Sequence, residues 1–162
     1  MGTQIGISHV PGSRPPRGTM IPSSPAVSAR MSRARRENTE PERAMRTELH
    51  RRGLRFRVHR ALAFDRRRKI DIAFPGARVA VFVDGCFWHS CPEHATYPKA
   101  NAALWKAKLR RNTERDRETD AYLRKDGWEV IRVWEHEDVV SAADRVVAAV
   151  QRGSHLTKSH DV

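Results

Sequence analysis

The stretch Val79 to His94, VAVFVDGCFWHSCPEH, runs from an apolar segment through an acidic turn into closely spaced cysteine, aromatic and histidine side chains. Cys86, Cys91 and His94 form C-x4-C-x2-H, three of the four donors of a tetrahedral structural zinc site. His136 is the expected fourth; the alternatives are His89 in its place, or two inert thiols and no metal. His89 also suits a general base for a water attacking phosphorus. Asp71 lies between Ile70 and Ile72, and Asp84 ends the next apolar run. A buried unpaired carboxylate is costly, so Asp71 must face solvent, meet a cation or bind a metal. Adjacent strands would bring both carboxylates to one magnesium ion, although an aspartate on a wet strand face has the same spacing. Glu42 follows Thr39 by three residues, which makes it a capping-box glutamate and still leaves it able to orient a neighbour. Phe87 and Trp88 either pack beneath their loop or wedge into a base stack.

Those residues need a scaffold, and the hydrophobic periods supply one. A helix is predicted from about residue 40 to 52, with Met45 and Leu49 on its apolar stripe and Gly53 as its stop. Leu54, Phe56 and Val58 alternate with Arg55, Arg57 and His59, the pattern of a half-buried strand with a basic outer face. Residues 70–74 and 79–83 read as two more strands, and the short spacers predict an antiparallel meander. A long helix over 101–125, with Asn101 as N-cap, is expected to bury Leu104, Trp105, Leu109, Tyr122 and Leu123. Trp128 to Trp134 is so poor in polar residues that it reads as a central strand. Ser141, with Asp144 three residues on, signals the cap of a last helix running to Gly153. The order is α-β-β-β-α-β-α.

Lys and Arg outnumber Asp and Glu by 31 to 19, a net charge of +12, which points to a polyanionic partner and above all to nucleic acid. Two cysteines five residues apart exclude a disulfide framework. The absence of a membrane-length apolar run or signal-peptide segment leads to an expected cytoplasmic location. Residues 1–30 hold five prolines, four glycines and no acidic residue, the composition of a flexible tail. The folded domain is expected over 31–153, opening on the basic run MSRARR, with 154–162 as a second tail.

Taken together, Thr39-Glu40-Pro41-Glu42, Lys69-Ile70-Asp71-Ile72, the block Val81 to His89, Asn112, Arg115-Asp116, Gly127-Trp128 and Val133-Trp134-Glu135 resemble the very-short-patch repair (Vsr) mismatch endonucleases. The resemblance covers roughly Met31 to Gly153. It implies a restriction-endonuclease-like (PD-(D/E)xK-type) α/β core, a mixed four-stranded sheet flanked by helices. It further implies Mg²⁺-dependent nicking of double-stranded DNA 5′ of the thymine in a T:G mismatch, by a monomer, with a functional link to a cytosine-5 DNA methyltransferase or repair machinery. Asp71 matches the family's metal-binding aspartate, His89 its catalytic histidine, Glu42 its first-helix glutamate, and Phe87 and Trp88 its intercalating aromatics. Met31 falls at the family's N-terminal wedge. Cys86, Cys91, His94 and His136 fall around its structural Zn²⁺, with altered ligand types. Asp84 stands where well-known members carry a histidine, so it is expected to act through the magnesium ion as a second ligand or water-positioning base. Arg33, Arg35, Arg36, Lys106, Lys108 and Arg110 are the expected phosphate contacts, which would make binding steeply salt-dependent. Two other readings compete: a zinc-stabilised non-catalytic DNA-binding module, and a restriction-modification-linked nuclease of broader lesion specificity.

Overall fold

The computed structural model describes residues 37–94, 99 and 101–158. The expected N-terminal tail, Met31, Arg33, Arg35 and Arg36 lie outside the described residues. Helix α1 spans Glu40–Arg51. Thr39 is its extended N-cap, and its Oγ1 accepts the Glu42 amide at 3.4 Å. The Glu42 carboxylate turns back to Thr39 Oγ1 and to the Asn38 amide, so the capping box closes one residue earlier than its usual form. At the other end Gly53 takes φ +79°, and the amides of Gly53 and Leu54 return to His50 and Leu49. This Schellman closure needs the left-handed conformation that glycine adopts without a Cβ penalty.

Strands β1 (Arg57–Ala61), β2 (Lys69–Phe74) and β3 (Val79–Asp84) form the expected antiparallel meander. Helix α2 (Ala102–Lys125) then crosses over, and β4 (Glu129–Trp134) pairs parallel to β3 before α3 (Val139–Lys158) closes the chain. The sheet is mixed, in the order β1-β2-β3-β4. One face packs Ile72, Phe74, Val79, Val81 and Val133 against Met45 and Leu49 of α1 and Val146 and Ala149 of α3. The other packs Ile70, Ala80 and Phe82 against Leu123 of α2 and Trp128. Among the described residues, no helix is long and apolar enough to cross a membrane.

Several local expectations are corrected. β4 is an edge strand, not a central one. It reads as central because helices cover both its faces: Ile131 and Val133 lie in one core, Val130 in the other. The β1 ladder starts at Arg57; Leu54 and Phe56 pack on the core ahead of it, and Val58 is 45% exposed. Asn101 does stand at the N-cap of α2, but with left-handed backbone and without a side-chain capping bond. The cap of α3 is Asp138, whose carboxylate accepts from both the amide and the hydroxyl of Ser141. These bonds hold its carboxyl below the usual range.

Gly153 does not end α3, which continues to Lys158 through residues expected to be tail. A Cβ at Gly153 would lie 2.1 Å from the Ala77 carbonyl oxygen, so the glycine lets the helix approach the β2–β3 turn. Gly→Ala in an open helix adds about 1 kcal/mol of stability. Overpacking against fixed backbone costs about 1–3 kcal/mol. The Gly153→Ala protein is therefore expected to melt below the wild type in a thermal scan; a higher melting temperature would contradict the close approach.

Candidate active site and metal centre

The β2–β3 ladder pairs Phe74 with Val79, Ala73 with Ala80 and Ile72 with Val81, and stops there. Beyond it, the Val83 amide donates to Asp71 Oδ2 at 2.9 Å, so the carboxylate fills the fork where the strands part. Burial pushes the Asp71 carboxyl up to about 7, more than the Val83 hydrogen bond pulls it down, and the charges of Glu42 and Asp84 add to the rise. Asp84, at the end of β3, is 3% exposed, and burial raises its carboxyl too. Glu42 is also 3% exposed. Its Oε2 faces the Asn38 amide at 2.9 Å, Arg46 Nη2 at 3.2 Å and His59 Nε2 at 3.3 Å. His59 lies across from Asp71 in the β1–β2 register and has φ +49°, a strained value for a non-glycine inside a strand.

The second half of the site comes from the loop after β3 and from α2. His89 Nδ1 lies 2.6 Å from Asp116 Oδ2 and 3.6 Å from Asp84 Oδ1. Burial alone would lower the His89 pKa, but the Asp116 hydrogen bond and the Asp84 and Asp116 charges outweigh it and raise it. Burial works against ionisation of Asp116, yet the His89 bond and nearby positive charge keep its carboxyl below the ordinary value. Arg132 of β4 donates to both oxygens of Asp84 at 2.8 Å and to Asp120 at 2.9 Å. The expected role of Asp84 as a magnesium ligand therefore meets a carboxylate already engaged by a guanidinium.

Phe87 and Trp88 are half-buried rather than exposed, packing edge-on to each other with ring centroids 5.0 Å apart. Both also contact Trp105 of α2. Asn112 donates to the Trp88 carbonyl at 3.1 Å, which ties the loop to α2. Lys108 lies over the Trp88 ring at 5.0 Å, Lys106 is exposed, and Arg110 pairs with Glu114.

Cys86, Cys91, His94 and His136 place one donor atom each within 4.8 Å of one another. Cys86 Sγ is 3.0 Å from His136 Nδ1, and Cys91 Sγ is 3.8 Å and 3.9 Å from His136 and His94 Nδ1. A tetrahedral ion with metal–sulfur bonds of about 2.3 Å and metal–nitrogen bonds of about 2.0–2.1 Å needs donor separations in this range. Burial pushes the Cys86 thiol up to about 12, and Cys91 beside it adds to the rise. A cation among these donors would offset the cost of ionising Cys86, so the set fits a divalent metal. Among the alternatives, geometry favours His136 over His89, whose ring turns to Asp116.

Four participants carry no role assigned from sequence. Arg132 carried the signal that exposed Asp71, a charge inside an apolar strand. Asp116 and Asp120 share one helix face at i, i+4 spacing, but so do many solvated carboxylates. His59 was explained by strand alternation, which hid its unusual backbone.

Comparison with known proteins matches residues 24–94 to the family described as DNA mismatch endonuclease Vsr. The Type II nicking enzyme V.NaeI of Lentzea aerocolonigenes is 41% identical over 156 residues, 95% of this chain and 89% of that relative. The Type II nicking enzyme V.XorIIP of Xanthomonas oryzae pv. oryzae is 41% identical over 66% of this chain and 77% of its own. The DNA mismatch endonuclease Vsr of Escherichia coli K12 is 34% identical over 60% of this chain and 62% of its own. With a basic composition, a mixed sheet and a histidine–carboxylate site at the sheet end, the chain belongs to the Vsr family and is a nicking DNA endonuclease.

Proposed function

We propose that this enzyme nicks double-stranded DNA 5′ of the thymine in a T:G mismatch, by magnesium-dependent hydrolysis of one phosphodiester bond. The observation that carries the reading is His89, held by Asp116 at 2.6 Å, beside the sheet end where Asp71 lies half-buried. Asp71 is the residue to hold magnesium, since its carboxyl lacks a cationic hydrogen-bond partner among those described and its burial disfavours a bare charge. Magnesium, when bound, neutralises charge on the phosphate oxygens. With Nδ1 turned to Asp116, His89 keeps Nε2 to take a proton from the attacking water. Asp116 orients the imidazole and stabilises it once protonated. The water oxygen bonds to phosphorus as the bond to O3′ breaks, and O3′ takes a proton from solvent, leaving a 3′-hydroxyl and a 5′-phosphate on the thymine. Glu42, fixed by the α1 cap, supports the acidic side of the pocket. Phe87 and Trp88, resting on Trp105, are the wedge at the mismatch, and Lys106, Lys108 and Arg110 meet phosphates. Cys86, Cys91, His94 and His136 would hold zinc, which would clamp the loop that carries His89.

The name Type II nicking enzyme borne by V.NaeI and V.XorIIP favours one second reading, a nuclease linked to a restriction-modification system and tolerant of other lesions. A panel of other mismatches in the same nicking assay separates the two.

His89→Ala is expected to lower kcat on a T:G duplex by about 10²–10⁴ while duplex binding persists. Equal cutting of T:G and matched duplexes by the wild type would refute mismatch specificity. Metal analysis of the purified protein is expected to find about one zinc per chain. Cys86→Ser should lose it and melt at lower temperature; folded wild type free of zinc would refute the site. Asp71 has a folded pKa of about 7 against an ordinary value of 3.8. Its contribution to stability is thus complete below about pH 4 and is lost as pH rises through 7. Metal-free Asp71→Asn, whose amide oxygen still accepts from Val83, should therefore be more stable than wild type at pH 8, by about 1–3 kcal/mol. It should show no such gain near pH 4, and should lose nicking. A variant less stable than wild type at pH 8 would contradict the buried-charge account.

A further inference from the structure

Arg132 lies within β4 between Ile131 and Val133, yet its guanidinium is held inside the site by groups from two other elements. Nη1 donates to both oxygens of Asp84 at 2.8 Å. Nε donates to the Asp120 carboxylate at 3.1 Å, and Nη2 donates to it at 2.9 Å and to the Asp116 backbone carbonyl at 3.4 Å. Below, the Phe82 ring lies 4.7 Å from the guanidinium carbon. A guanidinium carries its N–H donors in one rigid plane, so binding β3 and α2 together sets the spacing between them. His89 depends on both sides of that gap, bonded to Asp116 on α2 and 3.6 Å from Asp84 on β3.

We propose that Arg132 is a positioning residue for nicking: with Asp84 it forms a brace that holds the His89–Asp116 pair at the sheet end, and Asp84 acts through that brace rather than as a metal ligand. The inference rests on the reading of His89 as the base. Its physical basis is the pairing itself. A metal taking Asp84 would have to displace Arg132, leaving a largely buried guanidinium with fewer partners. Removing one member of a buried pair leaves the other uncompensated, whereas removing both is often tolerated. A brace and a metal ligand therefore answer a double-mutant cycle differently.

The test uses the full-length chain and a synthetic T:G duplex under Mg²⁺ titration, with Arg132→Met, Asp84→Asn, the double variant and Arg132→Lys. Zinc content and thermal melting are measured on the same preparations. Misplacing the base by a fraction of an ångström should lower kcat of each Met or Asn single variant about 10–100-fold, with KM for the duplex changed less than about threefold. The double variant should lose about as much as the worse single variant, and not the product of the two losses, because the two changes remove one unit. Arg132→Lys keeps the charge but not the planar fork and should lose about tenfold in kcat. The Mg²⁺ concentration for half-maximal nicking should stay within about twofold of wild type throughout.

Wild-type kcat in both Arg132→Met and Arg132→Lys overturns the proposal. So does a double variant whose loss equals the product of the two single losses, the behaviour of independent groups. So does an Asp84→Asn that needs about tenfold more Mg²⁺ when Arg132→Met does not, the behaviour of a true ligand. If Arg132→Met does not fold, the kcat of Arg132→Lys decides. His89→Ala is assayed alongside: wild-type nicking by that variant refutes the base reading itself and is distinct from any failure of the Arg132 variants.

Discussion

The in-register parallel pairing of β3 with β4 is the constraint on which the site depends. Asp84 stands beside Trp134 in that ladder, so both chains leave the sheet at the same end. Two residues beyond each, Cys86 and His136 meet at 3.0 Å, and the Cys86 amide is held by Glu135 at 2.7 Å. Parallel strands also require a long crossover, and here the crossover is α2. It brings Asn112, Asp116 and Asp120 past that same end, where they engage Trp88, His89 and Arg132. One pairing thus assembles the metal set, the histidine–carboxylate pair and the aromatic loop.

Burying carboxylates at that end carries an electrostatic cost, and the three main ones offset it differently. Glu42 is supplied by the α1 cap, Arg46 and His59. Asp84 is matched by Arg132. Asp71 has only the Val83 amide among the described hydrogen bonds, and it alone is pushed as high as about 7. The least compensated charge is the one best able to accept a cation, which places local instability where the proposed chemistry needs it.

Sequence patterns revealed much of this because some rules act over a few residues. The capping box at Thr39, the glycine stop at Gly53 and the meander all depend on neighbours along the chain, and each formed. Asp71 was conspicuous for its setting between two isoleucines, and the C-x4-C-x2-H spacing with a later His136 pointed to a metal. Errors arose where distant packing decided the outcome. β4 looks central in composition because helices do the covering that strands would do in a wider sheet. Gly153 looks like a helix stop until the Ala77 carbonyl is found where its side chain would be. Ser141 and Asp138 exchange capping roles over a span where either assignment satisfies the local pattern.

By itself the sequence determined the family, the element order, the aspartate set inside an apolar strand and the Cys and His donor types, because residue identity and short-range periodicity encode these directly. Only the tertiary structure decided that Asp84 faces Arg132, that His89 turns to Asp116 rather than to the cysteines, and that His59 meets Glu42. Those contacts join residues 48, 27 and 17 positions apart. Nothing in the spacing of such pairs distinguishes a partner from a solvated charge. Strand register and the path of the α2 crossover are what bring them within hydrogen-bonding reach.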